Sequence, residues 1–182
     1  KSIETIAEFF NHGINTSVSI NLSLAQLEQY DIVSRLKQLS AQYRVPHENI
    51  IIEVTETAHI RDVATTLETL SRLRLLGFGL SLDDFGTGYS SIQNLDILPI
   101  NELKIDQSFI SDIAHNQIHR ELVESMISLG KNLNVTVVAE GVETEEQCQL
   151  LVKMGCDLLQ GFYVNRALTA AQFIENYRFK AA

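Results

Sequence analysis

Asp83 and Asp84 stand side by side at the end of an apolar run containing Leu80 and Leu82, and Gly86 and Gly88 follow them. Adjacent carboxylates repel each other and are costly to desolvate. A pair in this position therefore needs a positive charge nearby. The same kind of position recurs along the chain, where apolar runs turn polar at their C-terminal ends. "SVSINLS" delivers Asn21, "IIIEVTE" delivers Glu53 and Glu56, "ELKIDQSF" delivers Lys104 and Asp106, "VTVVAEGVE" delivers Glu140 and Glu143, and "CDLLQGFY" delivers Gln160. One such carboxylate by itself reads as a helix cap or a solvated loop residue. Five strand ends carrying charge or an amide, with a sixth ending in Gln160, read as a site. Carboxylate and amide oxygens select hard cations such as Mg²⁺ or Mn²⁺. The five histidines (12, 47, 59, 115 and 119) fall at no metal-binding spacing, which argues against zinc. With Asp83 bridging two cations and Asp84 serving the second, ions about 3.5–4 Å apart would neutralise the pair and clamp a phosphoryl group.

These residues must be carried by elements that bring strand ends together. Six β-type runs alternate with stretches of helical spacing: residues 2–10, 24–43, 62–76, 118–134, 145–155 and 170–177, with a short turn at 91–98. Such alternation implies parallel strands joined by right-handed crossovers, in a doubly wound sheet or a (β/α) barrel. The strands are short and evenly spaced, and no glycine-rich dinucleotide fingerprint follows the first one, so the pattern leans to the barrel. In a parallel barrel the strand C-termini share one face, where active sites lie. Strand alternation then puts Ser19 with Asn21, Glu53 with Thr55, Lys104 with Asp106, Val138 with Glu140 and Leu158 with Gln160 on common faces.

The 182 residues suit one domain, with 45% hydrophobic and 20% charged content, and the net charge of −9 disfavours duplex DNA as a partner. Phosphate binding on so acidic a chain requires a local cation. Cys148 and Cys156 read as two reduced thiols, and no apolar run is long enough to span a membrane.

In order along the chain, "SINLS", "IIIEVTET", "DDFGTGYSS", "LKIDQSFI", "VAEGVET" and "LLQGFY" resemble the successive motifs of EAL domains, the cyclic di-GMP-specific phosphodiesterases of bacteria. The resemblance spans nearly the whole chain. It implies a modified TIM-like (β/α)8 barrel that hydrolyses cyclic di-GMP to linear pGpG with Mg²⁺ or Mn²⁺, two per site. Carried over residue by residue, it makes Asn21, Glu53, Asp83 and Asp84 metal ligands. Lys104 holds or orients the attacking water, and Glu140 is a general base or second-metal ligand. Glu56 anchors the "DFGTGYSS" loop, which in this family links the metal site to dimerisation, while Asp106, Glu143 and Gln160 belong to the rim.

Two departures stand out. No EAL tripeptide occurs, although the family expects it on a strand upstream of Lys1 with its glutamate as a ligand. The chain is therefore read as a single EAL domain over residues 1–182, N-terminally truncated, with six of eight βα units and weak or no activity alone. The family's proline after the Gln-Gly strand is replaced by Ala167. The resemblance further implies a homodimer, a sensor or GGDEF domain upstream, and a cytoplasmic location with membrane anchoring of the parent left open. Two alternatives are weighed beside it. One is a degenerate domain that binds the dinucleotide without cutting it, disfavoured because Asn21, Glu53, Asp83, Asp84, Lys104 and Glu140 are all present. The other is an unrelated barrel enzyme of enolase type, to which "DDFGTGYSS" gives no support.

Overall fold

The computed structural model describes residues 1–27, 31–55, 63–88, 95 and 97–181. Its elements are α1 (Ser2–Asn11), β1 (Val18–Asn21), α2 (Leu24–Leu27), α3 (Ile32–Tyr43), a 3₁₀ turn (His47–Asn49), β2 (Ile50–Thr55), α4 (Val63–Leu75), β3 (Gly79–Phe85), β4 (Glu102–Ile105), α5 (Gln107–Ile110), α6 (Gln117–Leu133), β5 (Thr136–Ala139), α7 (Glu145–Met154), β6 (Leu158–Leu159) and α8 (Ala170–Ala181). The strand order follows the chain, β1-β2-β3-β4-β5-β6. The pairs β1–β2, β3–β4, β4–β5 and β5–β6 are parallel. Parallel neighbours cannot be joined by a hairpin and need a crossover, which helices supply from β1 to β2, from β4 to β5 and from β5 to β6. An order that never reverses is the connectivity of a (β/α) barrel and not of a doubly wound sheet with a switch point.

Two compact units divide the chain. The first comprises Lys1–Glu53, Ile60–Gly79 and Ala167–Ala182, and the second comprises Val54–His59 and Leu80–Arg166. In the first, α1 repeats apolar residues at every third position and buries Ile3, Ile6 and Phe9. Phe9 packs with Ile14 and Ile174, and its ring lies 4.9 Å from that of Phe173. β2 begins Ile-Ile-Ile, as a strand covered on both faces should, and Ile50 and Ile52 are fully buried.

In the second unit the core comes from Leu80, Leu82, Leu103, Ile105, Val137 and Ala139 of the strands and Val123 and Ile127 of α6. Polar side chains fix the strand starts. Asn101 exchanges two hydrogen bonds with Leu80, its Oδ1 accepting from the Leu80 N–H at 2.7 Å and its own N–H donating to the Leu80 carbonyl at 3.0 Å. Asp157 accepts from the Val137 N–H at 2.8 Å.

Several strands are shorter than their apolar runs predict. β4 ends at Ile105 because Asp106 turns the chain into α5, its carboxylate accepting from the Ser108 N–H at 2.9 Å. β5 ends at Ala139, and β6 is only two residues long. The helical run 24–43 is two helices, α2 and α3. No helix among the described residues is long and apolar enough to cross a membrane. Cys148 and Cys156 are free thiols, as expected.

Candidate active site

β3 positions two consecutive carboxylates by departing from regular strand geometry. In an undisturbed strand Asp83 and Asp84 would point to opposite faces. Here the register with β4 shifts between Leu82 and Phe85: Leu82 pairs with Leu103 and Phe85 with Ile105, so β3 carries one extra residue. That is a β-bulge. Asp84 absorbs it with φ of 57°, in the left-handed region. Asp and Asn tolerate this region better than most residues, because a short polar side chain bonds locally. The turn that follows is held by Thr87, whose hydroxyl and N–H both donate to the Asp84 carbonyl, at 2.9 and 3.3 Å. Gly86 then continues at φ +100°, where a Cβ would sit 2.7 Å from both Met126 Cε and Phe109 Cε2. Glycine is needed there for both space and conformation.

The bulge puts oxygens of Asp83, Asp84 and Glu140 within 4.8 Å of one another. Glu140 leaves the end of β5, its N–H donating to the Ile105 carbonyl at 3.1 Å. Lys104, on β4 between these strands, sends its ammonium 2.9 Å from Asp83 Oδ1 and 2.6 Å from Glu140 Oε1. All three of these side chains are largely buried, at 6% exposure for Lys104, 13% for Asp83 and 16% for Glu140. Asp83 Oδ1 is buried without a well-aligned hydrogen bond, so Lys104 holds it as a charge rather than as a directed donor. Three carboxylates against one ammonium leave two negative charges when all are ionised. The donor set therefore fits a hard divalent cation: three carboxylates with oxygens clustered beside a buried ammonium.

The first unit holds a second group of donors. Asn21 and Glu53 are Cα partners in the β1–β2 register, which puts both side chains on one face of that ladder. Glu53 is buried at 7% exposure between Ile52 and Val54, and Asn21 is exposed. The Leu22 N–H donates to the Glu53 carbonyl at 2.9 Å, extending the ladder past Asn21.

The remaining predicted residues are placed as follows. Asp106 caps α5. Glu143 is exposed, and its N–H is held by Gln147 at 2.8 Å. Gln160 is exposed, with its backbone bonded to Ala139 and Val142 at 2.9 and 3.0 Å. Glu56 lies outside the described residues. Gln147 itself went unread in the sequence. It is a buried polar residue whose signal was the Thr144-x-x-Gln147 capping box at the start of α7.

The chain matches the EAL domain family model over residues 1–167. It is 40% identical over 158 residues to the bifunctional diguanylate cyclase/cyclic di-GMP phosphodiesterase MucR of Pseudomonas aeruginosa, covering 87% of this chain and 23% of that protein. Among solved structures it is similar to the phosphodiesterase PaMucR in complex with c-di-GMP, with a TM-score of 0.88 and 37% identity over 94% of this chain and 70% of the other. It is also similar to BlrP1 of Klebsiella pneumoniae in its manganese/cy-diGMP complex, with a TM-score of 0.81 and 31% identity over 88% of this chain and 41% of the other. The chain belongs to the EAL domain family. It spans about a quarter of the length of the MucR relative.

Proposed function

We infer that this domain hydrolyses cyclic di-GMP to linear pGpG with divalent cations, Mg²⁺ or Mn²⁺, two per site. The observation that carries the reading is the Asp83–Asp84–Glu140 cluster with Lys104 inserted, on a chain of the EAL family. Relatives whose names include cyclic di-GMP phosphodiesterase, and a manganese/cy-diGMP complex among similar structures, support it. Asn21, Glu53, Asp83 and Asp84 are the residues to hold the cations. Bound cations supply charge stabilisation at the scissile phosphate and make water a better nucleophile. Lys104 keeps the carboxylates ordered and holds the attacking water by donating to its oxygen. Glu140 accepts the proton of that water. The water oxygen bonds to phosphorus, and the 3′ oxygen departs and takes up a proton, giving pGpG.

Binders without turnover usually lack a metal ligand or the lysine, and Asn21, Glu53, Asp83, Asp84, Lys104 and Glu140 all occur in this sequence, which supports hydrolysis. The wider expectations belong to the same proposal. They are a homodimer, a cyclase or sensor domain elsewhere in the parent, action on the cytoplasmic side, and loop anchoring by Glu56 with Glu143 and Gln160 on the rim.

The test is to incubate the full-length protein with cyclic di-GMP and Mn²⁺ and to look for pGpG by chromatography. Turnover that Asp83→Asn abolishes is expected. Turnover that survives that substitution would refute the site.

A further inference from the structure

The geometry points to Gln147 as a positioning residue for the Lys104–Glu140 pair, clamping together the two segments that carry them; this rests on the active-site reading above. Gln147 is 5% exposed. Both ends of its amide are engaged. Oε1 accepts from the N–H groups of Glu143 and Thr144, at 2.8 and 3.0 Å. Nε2 donates to the carbonyls of Ile110 and Ser111, at 3.1 and 3.0 Å. The first two groups lie on the segment that leaves Glu140. The other two end α5, the helix that follows Lys104 after Asp106.

A capping box needs only the carbonyl end of this side chain. The amide nitrogen is left over, and here it donates to carbonyls at the end of a different helix, of which the Ile110 carbonyl also accepts from the Ile113 N–H at 3.3 Å. Two more joints lie between the same segments. The Glu140 N–H donates to the Ile105 carbonyl at 3.1 Å. Gly141 packs on Gln107 at φ +69°, where a Cβ would come within 2.5 Å of Gln107 Cβ. The 2.6 Å contact between Lys104 and Glu140 is thus braced by Ile105, Gln107 and Gln147. Gln147 is the one of the three that joins the segments by side-chain hydrogen bonds, so these can be altered without touching the backbone.

Gln147→Glu separates clamp from cap. A carboxylate still accepts from Glu143 and Thr144, and it suits a helix N-terminus. Facing Ile110 and Ser111 it has no proton to donate and repels both carbonyls. In the full-length protein this variant is expected to lower kcat about 10- to 100-fold with KM within about twofold, since a misplaced pair loses more in the transition state than in binding. Its Mn²⁺ affinity, measured by titration calorimetry, is expected to fall about 10-fold. The variant-to-parent kcat ratio is expected to rise as pH falls, because protonation of the introduced carboxylate restores one donor.

The control variant, Thr144→Ala, removes the hydroxyl that accepts from the Gln147 N–H and leaves the Gln147 side chain intact. It is expected to melt earlier while keeping kcat within about threefold of the parent. Unchanged kcat, Mn²⁺ affinity and pH ratio in Gln147→Glu, or a greater kcat loss in Thr144→Ala than in Gln147→Glu, would overturn the assignment. If Gln147→Glu does not fold, Gln147→Ala decides: a Mn²⁺ affinity reduced about tenfold supports the clamp and parent-like affinity overturns it. If the unsubstituted protein fails to cut cyclic di-GMP, the proposed function falls, and Gln147 is judged on Mn²⁺ affinity.

Discussion

Asn21 and Glu53 reach their positions by an undisturbed ladder, while Asp83 and Asp84 reach theirs by breaking one. On β1 and β2 the register runs without interruption from Val18 and Ile50 to Asn21 and Glu53, and each strand contributes one donor to one face. On β3 an extra residue and a left-handed Asp84 let two successive carboxylates join Glu140 in one cluster. A regular strand offers one side chain per two residues to a given face. A site that needs more charge density than that must take it from an irregularity, at a cost in backbone strain. The irregular region also contains the buried ammonium, as it must. The regular pair has one carboxylate and a neutral amide, and so builds up less charge.

Removing the ammonium should widen this contrast most. Lys104→Met takes away the ammonium that Asp83 and Glu140 contact in the carboxylate cluster. With partners this buried, the metal-free protein should lose about 3–5 kcal/mol of stability. Mn²⁺ should restore part of it, because a dication supplies the missing charge. Urea melts with and without Mn²⁺ check this, and a loss that Mn²⁺ does not touch would count against a cation site.

Gly86→Ala comes next. It should cost about 1–3 kcal/mol, since the new methyl meets Met126 and Phe109 at a φ that disfavours any side chain. A thermal melt within one degree of the parent would show that the loop adapts freely. Asp84→Asn separates backbone tolerance from charge: stability should stay within about 0.5 kcal/mol because Asn also accepts the left-handed region, while metal affinity falls. Asp84→Ala should cost about 1–2 kcal/mol more than Asp84→Asn.

The smallest effect lies away from the cluster. The Asn116 amide, and then His119, hold the Asp112 carboxyl below its usual range. A carboxyl depressed in the folded state stabilises above its unfolded pKa, and the contribution is lost as pH falls through the folded value. The melting difference between the parent and Asp112→Asn should therefore be present at neutral pH and vanish in acid. A difference independent of pH would mean that the charge plays no part. Cys156 is pushed up to about 11, chiefly by burial, so it should resist alkylation at pH 8.

The same contrast explains how much was legible in the sequence. Residue type at strand ends is a local signal, so Asn21, Glu53, Asp83, Asp84, Lys104 and Glu140 could be singled out, and the alternation of elements gave the parallel order. Alternation failed where the backbone departs from it. The bulge depends on which residue of β4 faces Phe85, and no stretch of β3 alone encodes that. β4 and β5 were overextended because polar and apolar residues keep alternating past the last ladder bond. Asp106 shows what geometry adds to residue type, since its carboxylate, one residue beyond the strand, caps the next helix. Gln147 was missed because its partners, Ile110 and Ser111, lie 37 and 36 residues away.

The most direct test of the central claim is anomalous diffraction from a crystal of the protein soaked in Mn²⁺. The expected result is density for an ion bound directly by Asp83, with Asp84 or Glu140 sharing the ligation. Full manganese occupancy elsewhere, with Lys104 still bridging Asp83 and Glu140 and no ion beside them, would contradict it.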